Sequence, residues 1–192
     1  MAVLCHTEYA SQKKTLIENS LLRLMMQNSY QDITVTDICR EANVPRRTFY
    51  HYFASKEDVL ESMIESLIQQ FLLHANIDTY LRNGDIEQGF IEILGFWTGD
   101  NRKKLDVLLK NGLESRLISC ASRWSREMHI GYIQNSDLPP KIVEIALLIG
   151  ATDFFTLLFY WSRNEYQESL EEMAKYAAWV LPHPFYNLAN QV

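Results

Sequence analysis

Glycine and proline are scarce, seven and five in 192 residues. No stretch of the chain alternates apolar and polar residues for long. Sheet-based, collagen-like and low-complexity architectures are therefore excluded, and the chain reads as nearly all helix. Cysteine is scarcer still. Cys5, Cys39 and Cys120 are odd in number, far apart and without CxxC spacing, which excludes a disulfide framework and a zinc site and suits a reducing cytoplasm. The signatures of catalysis are missing too: there is no glycine-rich phosphate loop, no HExxH and no nucleophile motif. His6, His51, His74, His129 and His183 show no ligand spacing. The expectation is a protein that is not an enzyme and holds no cofactor and no metal. The first residues lack the basic-then-apolar pattern of a signal peptide. "IVEIALLIGATDFFTLLFYW" (142–161) is long enough to cross a membrane, but Glu144 and Asp153 inside it would be costly in lipid. A buried helix of a soluble protein is expected there, with no membrane partner.

What is present is hydrophobic mass, 47% of residues, and a net charge of −6 that is unevenly spread. Residues 1–60 are neutral, with seven Lys/Arg against seven Asp/Glu, so the C-terminal two-thirds carries the whole excess. A protein coating itself in nucleic acid is excluded, whereas one local DNA-facing surface is not. Along the neutral third, Ile17, Leu21, Leu24 and Met25 fall on one face of a helix over about 13–27. Thr34 and Asp37 form a carboxylate variant of the capping box, and Val35, Ile38, Cys39 and Ala42 follow at i, i+3, i+4 and i+7. Asn43 is the non-glycine residue that best tolerates a left-handed turn, and Pro45 suits the first turn of the next helix. Ser55 and Asp58 cap a fourth helix with a seam of Leu60, Met63, Ile64, Leu67 and Phe71. Two short helices across a tight turn, flanked by longer ones, make a helix-turn-helix.

The short segment "RRTFYHYF" carries the functional signal. Phe49 and Phe53, four apart, pack inward, while Arg46, Arg47, Thr48 and His51 face out with the donors and methyl group that a major groove reads. Tyr50, Tyr52 and Lys56 suit phosphate oxygens.

Residues 34–64, "TVTDICREANVPRRTFYHYFASKEDVLESMI", resemble the DNA-binding signature of the TetR family of bacterial transcription regulators, and the similarity extends over roughly residues 10–65. The resemblance implies an all-α homodimer: a three-helix helix-turn-helix DNA-binding domain over 1–58 and a larger helical effector-binding and dimerisation domain over 59–192. It implies a repressor released from a palindromic double-stranded DNA operator by a small-molecule effector. It puts Thr36, Arg46, Arg47, Thr48 and His51 near base edges, and Thr34, Tyr50, Tyr52 and Lys56 near phosphates. Asn43 stands where the family most often has glycine, and Thr36 where a basic residue is frequent.

Breaks at 83–85, 98–101, 135–140 and 161–166 leave helices near 86–97, 102–111, 113–133, 141–162 and 167–181. Helix 141–162 is apolar nearly all round, and Met173, Ala174, Ala177, Ala178 and Leu181 share one side of the last helix. Pairing these two helices with their copies would make the four-helix dimer interface that the resemblance implies. An effector pocket is expected from Phe71, Phe96, Trp97, Trp124, Phe154, Phe155 and Tyr160, with Arg123, Arg126, His129 and Asp153 as polar contacts. The alternative is a C-terminal domain that docks a partner protein, making the chain an activator or co-activator. Some TetR relatives that associate with dihydroxyacetone kinase subunits resemble this arrangement.

Overall fold

The computed structural model describes residues 2–74, 85–128 and 138–180. They form nine α-helices and one 3-10 turn, with no strand among the described residues. The chain divides into two compact units, Met1–Leu67 and Ile68–Val192.

In the first unit, α1 (Ala2–Gln27) leads through a 3-10 turn (Tyr30–Asp32) to α2 (Val35–Glu41), α3 (Arg46–Tyr52) and the start of α4 (Lys56–His74). Helix α1 begins well before the expected residue 13, because the segment ahead of it has no apolar stripe to announce it. Ile17, Leu21 and Met25 of α1, Ile38 of α2, Phe49 of α3 and Leu60 and Ile64 of α4 are fully buried and make the core. Polar ties fix the helices around it. The Ser62 hydroxyl donates to Glu18 Oε1 at 2.6 Å, joining α4 to α1, and Arg23 Nε donates to Glu41 Oε1 at 2.6 Å, joining α1 to α2.

The second unit contains the end of α4 and five further helices, α5 (Ile86–Thr98), α6 (Arg102–Lys110), α7 (Glu114–Met128), α8 (Pro140–Arg163) and α9 (Leu170–Val180). Helix α8 packs on α7, and α9 packs on α5. This second contact takes the alanine side of the last helix out of the expected seam. Met173, Ala174 and Ala177 are buried inside the chain, because small side chains let the α9 backbone come close to its own neighbour; Leu170 Cδ2 lies 3.6 Å from where Gly95 of α5 would carry a Cβ. Leu181 lies outside the described residues. Nor is α8 buried all round. Val143, Ala146, Phe154, Phe155, Leu158 and Phe159 face inward, while Ile142, Ile145, Leu148, Ile149 and Tyr160 are exposed.

The last helix starts at Leu170 and not near 167, because Ser169 and Glu172 form a reciprocal cap: Glu172 N donates to Ser169 Oγ at 3.2 Å and Ser169 N to Glu172 Oε2 at 3.0 Å. The turn before it holds Glu165 and Tyr166 at φ 56° and 54°, a left-handed conformation unfavourable for side-chain-bearing residues. Tyr166 stabilises that turn. Its hydroxyl donates to Asp106 Oδ1 at 2.7 Å, beside Ser162 Oγ donating to the same oxygen at 3.0 Å, and the Arg102 guanidinium lies 4.1 Å from its ring centroid. Burial, with Asp106 adding to it, pushes the Tyr166 hydroxyl up to about 12, so it stays a donor. Replacing Tyr166 by Phe removes one hydrogen bond to a charged acceptor and releases the turn. The expected loss of stability is about 1–3 kcal/mol by chemical denaturation, and an unchanged midpoint would show that the turn is held by other contacts.

Candidate nucleic-acid interface

The turn between α2 and α3 is made as its residues dictate. The Thr34 hydroxyl accepts from Asp37 N at 3.2 Å, and Asp37 Oδ2 accepts from Thr34 N at 3.0 Å, closing the capping box. At the other end of α2, Asn43 takes φ 50°, and Val44 N donates to Cys39 O at 3.0 Å, satisfying a terminal carbonyl. Pro45, at φ −60° and ψ 148°, sits just ahead of α3 as its N-cap residue. Beyond α3, Asp58 N donates to Ser55 Oγ at 3.1 Å and Asp58 Oδ2 accepts from Ala54 N at 2.9 Å. Both turns that bracket the short helix are thus fixed by local bonds.

Phe49 and Phe53 are buried, with ring centroids 6.1 Å apart, and they clamp α3 from beneath. Above them Arg46, Arg47, Tyr50 and His51 are exposed, and Thr48 and Tyr52 are half-buried. Arg46 Nη2 donates to Tyr50 Oη at 3.3 Å, and the Tyr50 ring stands edge-on to Phe49 at 5.4 Å. The His51 and Tyr52 rings meet edge-on at 4.8 Å. Of the residues expected to read bases, Arg46, Arg47 and His51 of α3 and Thr36 on the first turn of α2 are thus exposed, and Thr48 is half-buried.

Besides Tyr50, two further residues expected at phosphates have internal partners. The Thr34 hydroxyl also donates to Asp37 Oδ2 at 2.6 Å, so its proton is spent on the cap. Lys56 Nζ donates to the carbonyls of Tyr30, Gln31 and Ile33 at 2.9, 3.1 and 2.8 Å. Sequence reasoning placed both residues on the surface from their type and position. The Thr34 cap was expected, whereas the Lys56 bonds were not, because the carbonyls belong to a turn more than twenty residues away from it.

Of the residues expected at an effector pocket, five gather. The Phe71 ring lies 5.5 Å from Phe96, 5.3 Å from Trp97, 5.4 Å from Phe154 in a stacked pair, and 6.3 Å from Phe155. Trp97 is wholly buried, and its indole N–H has no acceptor among the described residues. Asp153 and Tyr160 are exposed; with about 100° per residue they leave the inward side that Phe154 and Phe155 occupy. Asp153, expected as a polar contact of the pocket, thus faces solvent in the single chain. Arg123 is exposed and Trp124 half-buried. His129 and the Arg126 side chain lie outside the described residues.

Residues 19–63 match the family model described as "Bacterial regulatory proteins, tetR family". The chain is 32% identical over 77 residues to the HTH-type dhaKLM operon transcriptional activator DhaS of Lactococcus lactis, covering 38% of this chain and 41% of that one. It is 44% identical over 48 residues to the HTH-type transcriptional regulator EthR of Mycolicibacterium smegmatis, covering 25% of this chain and 22% of that one. The matches thus span less than half the length of these relatives. Among solved structures, a TetR transcriptional regulator from Streptococcus agalactiae superposes with a TM-score of 0.62 at 22% identity, over 93% of this chain and 98% of that one.

The cap that starts α2 is charge-dependent. The hydrogen bond from the Thr34 side chain first, then that from its backbone, holds the Asp37 carboxyl below the ordinary carboxylate range, with Arg40 adding to it. A depressed folded-state value means that the stabilisation is complete at neutral pH and is lost as pH falls through that value. Asp37→Asn is expected to be less stable than wild type at pH 7, the gap closing as both proteins are titrated below the carboxylate range. A gap that persists in acid would assign the effect to packing.

Proposed function

The chain belongs to the tetR family of bacterial regulatory proteins, and we propose that this member is a homodimeric repressor that reads a palindromic operator and releases it on binding a small molecule. It is a transcriptional regulator with a DNA-binding domain and not an enzyme. The observation that carries the reading is the polar face of α3, with Arg46, Arg47, Tyr50 and His51 exposed over a buried Phe49 and Phe53. Arg46 and Arg47 suit guanine O6 and N7, the Thr48 methyl suits a thymine methyl, and His51 and Thr36 donate or accept at base edges. Tyr50 and Tyr52 take the flanking phosphates. The setting is the cytoplasm, where the operator is.

Dimerisation draws support from the outer sides of α8 and α9. Ile142, Ile145, Leu148, Ile149 and Tyr160 on α8, and Tyr176, Trp179 and Val180 on α9, are all exposed in the single chain, Trp179 to 83%. Monomeric proteins rarely leave so much apolar surface in water, and a two-fold axis would bury it against its copy. It would also present two recognition helices about 34–36 Å apart, one DNA turn. The aromatic nest around Phe71 suits an apolar effector, and the Trp97 indole N–H suits an acceptor atom on it. Helix α4, whose residues fall in both units, is the element through which a shift would reach the reading head. Partner docking in place of effector sensing is favoured by one observation, the 32% identity to a protein named as an activator. A melting-temperature rise with a small molecule supports the sensor, and stable co-purification with a second protein supports the docking module.

Selection from a random DNA pool is expected to enrich a palindrome, with binding falling steeply in salt. Arg47→Ala or Tyr50→Ala is expected to weaken binding to that site by roughly 5-fold to 100-fold per half-site at unchanged melting temperature. Unchanged affinity in both variants would remove α3 as the reading helix. Separately, Ile145→Asp with Ile149→Asp is expected to yield a folded monomer in sedimentation that no longer binds both half-sites together, and a persistent dimer would move the interface elsewhere.

A further inference from the structure

A lysine in the first turn of α4 is oddly placed. Helix N-termini carry a partial positive charge that favours anions, and Glu57 and Asp58 in the same turn obey that preference. Lys56 does not, and the structure shows what stabilises it. The ammonium group has three N–H bonds, and three carbonyl oxygens meet it at 2.8–3.1 Å, those of Tyr30, Gln31 and Ile33. A fourth contact is aromatic, since Nζ lies 4.6 Å from the Tyr30 ring centroid. The Tyr30 hydroxyl in turn donates to Glu57 Oε1 at 3.3 Å, tying the same turn of α4 to the same loop.

The loop is the 3-10 turn and the residue after it, immediately before the Thr34 cap of α2. Tyr30 O also accepts from Ile33 N at 3.3 Å, the bond that closes the 3-10 turn, and the ammonium adds a donor there and one each to the Gln31 and Ile33 carbonyls. On its other side, Lys56 adjoins the Ala54–Ser55 turn that closes α3. One side chain therefore fixes the entry of α2 and the exit of α3 relative to α4.

We propose that Lys56 is a positioning residue of the reading head and does not neutralise a DNA phosphate. It acts through the loop that it holds, setting where α2 and α3 present their side chains. Reaching a phosphate would cost the ammonium all three carbonyls and its contact with the Tyr30 ring at once, so it stays with the loop when DNA binds. The inference rests on the DNA-reading function proposed above.

Two experiments separate this role from phosphate binding. The first needs no variant. Lysines of the wild-type protein are acetylated with limiting acetic anhydride and read residue by residue by mass spectrometry, without and with the selected DNA. Lys56 is expected to react much more slowly than exposed Lys110 in free protein and to be unaffected by DNA. Rapid labelling of free protein, or protection that appears only with DNA, overturns the proposal. The second compares Lys56→Arg and Lys56→Gln in salt titrations of DNA binding, at a temperature where circular dichroism shows wild-type helicity.

Arginine keeps the charge and serves phosphates well, but its planar fork cannot meet three converging carbonyls. Both variants are therefore expected to lose on the order of tenfold in affinity with the salt slope unchanged. Wild-type affinity in Lys56→Arg, together with a slope in Lys56→Gln smaller by about 1.8 for the two protomers, would make Lys56 a phosphate ligand. Wild-type binding by both variants would leave it no role and also overturns the proposal. Failure of the wild-type protein to enrich any DNA would count against the proposed function instead, and the labelling rate of free protein would still test the carbonyl pin.

Discussion

Everything the N-terminal unit does depends on burying Phe49 and Phe53 beneath a helix of only seven residues, Arg46–Tyr52. A helix that short has no stability of its own in water, since nucleation fixes several residues for a single hydrogen bond. Its two aromatic anchors supply what propensity cannot. Once both rings are inside, the 3.6-residue period leaves the intervening positions no choice but to face solvent, and those positions hold Arg46, Arg47, Tyr50 and His51. The proposed reading face is a geometric consequence of the core. The turns on either side then decide its angle: Asn43 in the left-handed region, Pro45 with its fixed φ, and the Ser55 and Asp58 cap beyond.

These features were legible in the sequence because each is local. A capping box needs two residues three apart, a left-handed turn needs an asparagine or glycine, and an anchored helix needs aromatics four apart. All three signals sat within residues 34–58 and all appear in the structure. The second unit offered less. Helix α8 is apolar enough on every side that its period could not say which side faces in, and only packing separates Phe154 and Phe155 from Asp153 and Tyr160. The alanine side of α9 was equally ambiguous, because small residues suit a close approach within the chain as well as one between copies. Here the approach is to α5. The start of α9 is set by the Ser169–Glu172 cap, and the turn before it holds two left-handed residues, Glu165 and Tyr166, the second of which bonds Asp106, sixty residues away.

Charge was the other signal that required the structure. Residues 1–60 balance seven basic against seven acidic side chains, and several of the basic ones are engaged within the unit. Arg23 bonds Glu41, Arg40 bonds Asp37, and Lys56 bonds three carbonyls. Counting cations would overstate the charge offered to DNA. What the head presents is a small set of oriented donors on a nearly neutral body, with an acidic remainder that DNA repels.

This economy bears on how such a protein could be switched. A strongly basic surface holds DNA over a wide range of orientations, because phosphate attraction is long-ranged and indifferent to sequence. A head that depends on a few oriented contacts loses its grip when those contacts are moved by a fraction of their reach. An effector then needs only a modest difference in affinity between two arrangements to release the operator, since coupling is set by that difference and not by how tightly it binds. The rigid turns around α3 and the carbonyl cage around Lys56 serve the same requirement from the other side. They tie α2, α3 and the first turn of α4 to one another, so that on the proposed function a displacement of the head would move its donors together.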